Sequence, residues 1–118
     1  MTERGEIMDH QRELLKGNTE SLLLALVAQE PMYGYQLVKE LEARSHGYFQ
    51  FREGTLYPAL HRLEKDGLLD AKWQRSQAGQ KRRYYFLTDK GQGALATRLS
   101  QWQGFSHAVS MVLAPTRA

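Results

Sequence analysis

The chain has 118 residues, 42% of them hydrophobic and 25% charged, and a net charge of +3, which together predict a soluble globular protein with a real core. It contains no cysteine, so disulfides, thiolate metal sites and cysteine nucleophiles are excluded. No apolar run approaches the roughly 20 residues that cross a membrane, and the charged N-terminus lacks the apolar core of a signal peptide, so we expect a cytoplasmic protein with no membrane partner.

The first half of the chain has the pattern of consecutive helices. A short amphipathic helix is expected from about residue 9 to residue 16, and Asn18 is a typical N-cap for a second, strongly apolar helix. Pro31 ends that helix, and residues 32–47 predict a third one that Gly47 terminates. The stretch "YFQFR" then links it to a fourth helix.

The fourth predicted helix, in "EGTLYPALHRLEKDG", contains a proline. Its leucines recur at the spacing of a buried helical stripe: Leu56, Leu60 and Leu63. Pro58 lies within this stripe, although a proline inside a helix removes a hydrogen bond. If the helix begins at Gly54 or Thr55, with Thr55 as N-cap, the proline falls in the first turn, where the N–H groups have no helical partner.

Beyond Gly67 the apolar residues no longer recur at the spacing of a helix; they alternate with polar ones, as in a β-strand. The segments "LLDAKWQR" and "KRRYYFLT" predict two strands, and "SQAGQ" between them supplies the turn of a hairpin. Phe86 falls on the strand face opposite Tyr85 and Leu87, and its role stays open. Thr88 or Asp89 is expected to cap a final helix with a broad apolar stripe.

This order of elements predicts a fold that is mainly α with a two-stranded β wing, namely a winged helix-turn-helix followed by a C-terminal helix. Residues 1–88 would form the DNA-binding domain with its N-terminal helix, and residues 89–118 a dimerisation helix and short tail. In such a fold the helix before the hairpin enters the major groove of DNA.

The positive charge is concentrated in one segment. Residues 52–83 hold eight basic and four acidic side chains, a balance of +4, so the rest of the chain carries −1 of the total of +3. A localised basic face indicates a polyanionic partner, here double-stranded DNA. There are three alternatives. The basic residues could form an ordinary solvated surface or protect a strand edge, or the winged helix could serve only protein–protein contact.

The candidate DNA contacts lie on the proline-containing helix, on the hairpin and at the start of the third helix. Arg62 could read guanine or hold a phosphate, and Lys65 could hold a phosphate or complement the helix dipole. The full set is Tyr33, Thr55, Tyr57, Pro58, His61, Arg62, Lys65, Lys81, Arg82 and Arg83.

Three stretches together resemble the PadR family of bacterial transcriptional regulators: "YGYQLVKEL", "GTLYPALHRLEKDGLL" and "KRRYYFLTDKG". They occur in the family's order, and the resemblance covers roughly residues 12 to 113. It implies a homodimeric winged-helix repressor that binds an inverted-repeat operator. A single final helix resembles the family's small subgroup, in which the last helix, with help from the first, makes the dimer.

The stripe of the final helix independently favours a second copy of the chain as partner, although the helix could instead fold back on its own core. The candidate interface residues are Leu14, Leu95, Leu99, Trp102, Phe105, Val109, Val112 and Leu113. In some small PadR-like regulators a tryptophan at the position of Trp102 faces its symmetry mate and flat aromatic drugs stack between the two. The resemblance therefore implies a small planar aromatic ligand at Trp102; ordinary interface packing is the alternative.

An enzyme is not expected. The sequence has no glycine-rich phosphate loop, no HExxH motif and no nucleophile elbow, and its four histidines are scattered. We therefore predict no catalytic residues, no metal site and no cofactor.

Overall fold

The computed structural model describes residues 17–115, in which four helices and three strands alternate. Their bounds are α1 Thr19–Gln29, β1 Met32–Tyr33, α2 Gly34–Arg44, α3 Glu53–Lys65, β2 Leu69–Arg75, β3 Lys81–Leu87 and α4 Asp89–Leu113. This is a mainly helical winged-helix fold with a C-terminal helix, as the sequence predicted. The helix expected over residues 9 to 16, with Leu14, lies outside the described residues.

The hairpin follows the predicted strands closely. β2 and β3 pair antiparallel from Leu69 opposite Leu87 to Arg75 opposite Lys81. Gly79 has a φ of +85° in the turn, a conformation that glycine adopts without steric cost. The ring of Phe86 is half-buried, with the ammonium of neighbouring Lys72 5.3 Å from its centroid.

A third strand is present that the sequence did not reveal. Met32 and Tyr33 form β1, which pairs with Tyr85 and Tyr84 of β3, so the sheet order is β1-β3-β2. The prediction of a helix from residue 32 was therefore wrong for its first two residues. The backbone of Tyr33 is extended and serves as the N-cap of α2, and its N–H donates to Gln36 Oε1 at 3.1 Å.

The start of α3 also differs from the prediction. The helix begins at Glu53 with Arg52 as N-cap, and the Thr55 N–H already donates to the Arg52 carbonyl at 3.0 Å, so Thr55 is not the cap. Pro58 consequently lies in the second turn rather than the first. The carbonyl that loses its partner belongs to Gly54, an exposed residue where water can replace the missing N–H.

The core lies where α1, α2, α3 and the sheet meet, and the predicted leucine stripe of α3 is part of it. Its fully buried side chains are Leu23, Leu24, Leu37, Leu56, Leu60, Leu63 and Leu69. The Thr88 hydroxyl accepts from the Gly91 N–H at 2.9 Å, which confirms the predicted cap of α4. None of the helices within residues 17–115 is both long and apolar enough to cross a membrane.

Candidate nucleic-acid interface

The N-terminal ends of α2 and α3 face the hairpin across a concave surface of about 130 Å³, which we call the notch. It is lined by Tyr33, Gly34, Glu53, Tyr57, Trp73, Lys81, Arg82, Arg83 and Tyr85. Five of the ten predicted DNA contacts (Tyr33, Tyr57, Lys81, Arg82 and Arg83) thus meet at one place, although they come from three separate parts of the chain. The unpredicted strand β1 brings Tyr33 there, because it fixes the start of α2 against β3.

On the helix side of the notch, Tyr57 donates its hydroxyl to Glu53 Oε2 at 3.2 Å. Burial raises the pKa of Tyr57, and the negative charge of Glu53 raises it further, so the phenol stays protonated and able to donate at neutral pH. Gly34 lies against this pair, and a Cβ atom there would approach Glu53 Oε2 to 3.2 Å and the Tyr57 hydroxyl to 3.4 Å. A residue without a side chain therefore lets the two helix ends meet.

On the hairpin side, the basic residues differ in how they are held. Arg83 donates to Glu64 Oε2 of α3 at 2.6 Å, which fastens the hairpin to this helix, the candidate recognition helix. The guanidinium of Arg82 lies 5.3 Å from the ring centroid of Tyr33 and contacts Gln80. Within residues 17–115, neither Lys81 nor Arg82 forms an ion pair, so their charges are available to a polyanion.

The remaining predicted contacts lie elsewhere on α3. The residues outside the notch are Thr55, Pro58, His61, Arg62 and Lys65, and all of them are exposed. Arg62 donates through Nε to Glu20 Oε2 of α1 at 2.9 Å, and Glu20 Oε1 also accepts from Arg98 of α4 at 3.3 Å. One carboxylate therefore joins the recognition helix to both α1 and α4.

Four residues of the notch were missed by sequence reasoning: Gly34, Glu53, Trp73 and Tyr85. Strand alternation puts Trp73 on the same face of β2 as Leu69 and Ala71, yet Trp73 is 63% exposed because the core ends before the hairpin tip. Its position next to the turn was the signal that could have revealed this. Glu53 and Gly34 had no such signal, since their importance depends on how α2 and α3 meet.

The C-terminal helix leaves the core after its first turns. Leu95 is 8% exposed and packs within the chain's own core, unlike its predicted place at an interface. The other predicted interface residues of α4 are all exposed: Leu99, Trp102, Phe105, Val109, Val112 and Leu113. The rings of Trp102 and Phe105 lie 6.0 Å apart, beside a groove of about 560 Å³ between α4 and the start of α1.

The part of the chain that the structure describes holds no group of three or more histidine, aspartate or glutamate side chains arranged to bind a metal ion.

Comparisons with known proteins agree with this fold. The model of the PadR-like transcriptional regulator family matches residues 23–97. A PadR-like regulator from Bacillus cereus is 36% identical with a TM-score of 0.80, covering 88% of this chain and 99% of that one. A PadR family regulator from Eggerthella lenta is 34% identical with a TM-score of 0.75, covering 96% of both chains.

Among curated proteins, transcriptional regulator Rv3488 of Mycobacterium tuberculosis is 42% identical over 84 residues, which are 71% of this chain and 75% of that protein. The family match extends over more than half of the chain and includes α3 and both strands of the wing. The fold is thus that of DNA-binding transcriptional regulators, which are not enzymes. The chain belongs to the PadR-like family of transcriptional regulators.

Proposed function

We propose that this chain is a transcriptional repressor that binds an inverted-repeat operator as a homodimer. α3 enters the major groove, and the hairpin follows the sugar–phosphate backbone beside it. The observation that carries this proposal is the notch, where the start of the recognition helix meets Lys81 and Arg82, two cations that are not neutralised within the described residues. Residues 1–88 serve DNA binding and residues 89–118 dimerisation.

The exposed face of α3 suits this role. Thr55, Tyr57 and His61 offer hydroxyl and imidazole groups to base edges and phosphates, and Lys65 adds a charge near the helix end. Arg62 is held by Glu20, so reaching a base or phosphate requires it to share or leave that ion pair. We therefore assign positioning of the helix to Arg62 at least as much as base reading.

Dimerisation explains the exposed stripe of α4. Phe105 is 62% exposed and Val112 82%, which would be costly for a helix that remains alone in water. A second copy covers the same stripe on both chains at once, because a two-fold interface is self-complementary. The dimer presents two copies of α3 to successive turns of the operator.

A planar aromatic ligand at the dimer interface is the proposed inducer. Trp102 and Phe105 present two large faces beside the groove between α1 and α4, and such faces stack on flat aromatic and cationic compounds. Binding there would change how the two copies of α4 pack and so release the operator.

The DNA-binding proposal is tested by the salt dependence of affinity for duplex DNA from upstream of the chain's own gene. Each phosphate contact contributes about −0.9 to the slope of log K against log salt. We expect Arg82→Ala to flatten this slope by about one unit, and Arg83→Ala by less, because Arg83 is already paired with Glu64.

Arg44→Ala is the matched control, because Arg44 pairs with Glu40 at the opposite end of α2 from the notch and should leave the slope unchanged. A wild-type affinity that does not vary with salt, or that is equal for a scrambled duplex, would leave the protein–protein interaction module as the better function.

The ligand proposal is tested without DNA by titrating proflavine, a planar aromatic cation, and following tryptophan fluorescence. We expect quenching in the wild type and in Trp73→Phe, and its loss in Trp102→Ala, because only Trp102 lines the groove. Equal quenching in the wild type and Trp102→Ala would remove Trp102 from the site.

A further inference from the structure

Trp73 is a large aromatic side chain that neither the core nor the α4 stripe uses. It is 63% exposed on β2, opposite Arg83 of β3, and it lines the notch together with Tyr57. An indole ring exposed on a basic concave surface is an anchor for a partner that offers both an apolar face and a negative charge. The sugar–phosphate backbone of DNA offers both.

We propose that the notch seats one sugar–phosphate unit of the DNA backbone, with Trp73 packed against the deoxyribose and Lys81 and Arg82 binding the adjoining phosphate. This inference rests on the proposed function and adds an apolar contact to it. The volume of about 130 Å³ holds about four waters at about 30 Å³ each, which is room for a group of phosphodiester size.

The charges within the notch determine which way the unit lies. Among residues 17–115, Glu53 is the one acid that lines it, and one of its oxygens already accepts from Tyr57. Phosphate is held most strongly at the hairpin side, where neither Lys81 nor Arg82 is paired with an acid within the described residues. The sugar is left between this side and the helix side, against the indole of Trp73.

An apolar contact and an ionic contact respond differently to salt. Binding through Lys81 and Arg82 weakens as salt rises, since it releases counterions. Packing of Trp73 on a sugar releases none, so its contribution should be the same at every salt concentration. This difference separates Trp73 from its basic neighbours experimentally.

The affinity experiment measures binding of a fluorescein-labelled 20-base-pair duplex by anisotropy over a range of salt concentrations. We expect Trp73→Ala to weaken binding by about five- to thirtyfold at each salt concentration with an unchanged salt slope. Trp73→Phe, which keeps an aromatic face, should retain affinity to within about threefold. Affinity of Trp73→Ala equal to that of the wild type, or a flattened slope, would overturn the proposal.

A spectroscopic experiment reports the contact directly. The chain has two tryptophans, so protein labelled with 5-fluorotryptophan gives two fluorine NMR signals, which Trp73→Phe assigns. Saturation with the duplex should shift the Trp73 signal and abolish its H₂O/D₂O solvent isotope shift. Anisotropy shows when the complex is saturated. If the Trp73 signal stays unchanged in the saturated complex, this inference alone is overturned. If no complex forms at all, the proposed function is overturned as well.

The thermal midpoint of Trp73→Ala separates a contact role from a structural one. Because the side chain is mostly exposed, we expect a midpoint within about 2 °C of the wild type. A large fall in the midpoint accompanied by an unchanged affinity of the folded fraction would assign Trp73 to folding instead.

Discussion

Among the glycines that the structure describes, Gly91, in the first turn of α4, has the least room for a side chain. A Cβ atom at this position would overlap the carbonyl oxygen of Leu68 and lie 2.8 Å from Cδ1 of Leu87. That carbonyl cannot easily move, because it belongs to the backbone and accepts from the Thr88 N–H at 3.2 Å. The glycine is therefore required for α4 to begin directly on the sheet.

We expect Gly91→Ala to lower the free energy of unfolding by about 1–3 kcal/mol, since an inserted methyl group has no room against fixed backbone. The measurement is urea denaturation followed by circular dichroism, with all variants at one protein concentration because association would add to stability.

Gly93→Ala is the matched control for this prediction. It lies in the same helix, and a Cβ there meets nothing within 4 Å. Alanine is a better helix former than glycine, so this variant should gain about 0.5–1 kcal/mol. Equal effects of the two substitutions would show that helix propensity, and not the contact with Leu68, determines the stability of α4.

The sequence alone could not distinguish these two glycines. Both lie in a helical pattern and both lower its expected regularity, yet α4 is continuous from Asp89 to Leu113. What separates Gly91 from Gly93 is the tertiary approach of Leu68, the residue before β2, and of Leu87 at the end of β3, and no local pattern encodes those distances. The same limit applies to Gly34, whose missing side chain matters only where α2 and α3 meet.

At the scale of elements, periodicity predicted the helices and the hairpin well because each is long enough to show its period. β1 has only two residues, too few for a period-two pattern, and it was assigned to the following helix. The cap of α4 could also be predicted, because the Thr88 hydroxyl bonds an N–H only three residues further along the chain.

The start of α3 was misplaced for a different reason. A proline inside a helical pattern was expected to mark the first turn, where its missing N–H has no cost. In the structure α3 begins at Glu53, and the lost hydrogen bond falls at exposed Gly54. The earlier start brings Glu53 beside Tyr57 on the notch, and the sequence, with the helix expected to begin later, did not indicate an acid there.

The ion pairs of Glu20 link three elements that the proposed function must coordinate. Its two carboxylate oxygens bind Arg62 of α3 and Arg98 of α4, and Glu20 itself belongs to α1. Arg98 also lines the groove beside Trp102. A change at the groove that displaces Arg98 would free one oxygen of the carboxylate that pairs with Arg62 of α3, and this is the route by which the proposed ligand would act on the proposed operator contact.

At the scale of the whole molecule, the basic notch and the exposed apolar stripe of α4 are built from different elements. The basic residues Lys81 and Arg82 lie at the notch, whereas the exposed apolar side chains of Phe105 and Val112 lie along the far part of α4. The first surface suits a polyanion, and the second requires cover from a protein. The sequence predicted both surfaces, from the basic residues within 52–83 and from the apolar stripe of the last helix. That Leu95 of this stripe packs in the core could be seen only in the folded structure.

The dimer is tested by placing a charge in the apolar stripe. Phe105→Glu brings two carboxylates to a self-complementary interface, where burying them without partners is costly. Because Phe105 is exposed in the single chain, its replacement should leave the fold intact. We expect the wild type to have twice the chain mass of 13.6 kDa in light scattering, and Phe105→Glu to have the mass of one chain.

Ser100→Glu is the control, since at 100° per residue it lies on the side of α4 opposite the stripe, is exposed, and carries the same added charge. It should remain dimeric. If Phe105→Glu also remained dimeric, the stripe would not be the interface. If the wild type were a monomer, the proposal that two copies of α3 bind paired half-sites would be overturned.

A monomeric Phe105→Glu variant should also bind DNA with a weaker salt dependence. One α3 contacts one half-site, so about half of the phosphate contacts disappear. Its salt slope for operator DNA should therefore fall to about half of the wild-type value.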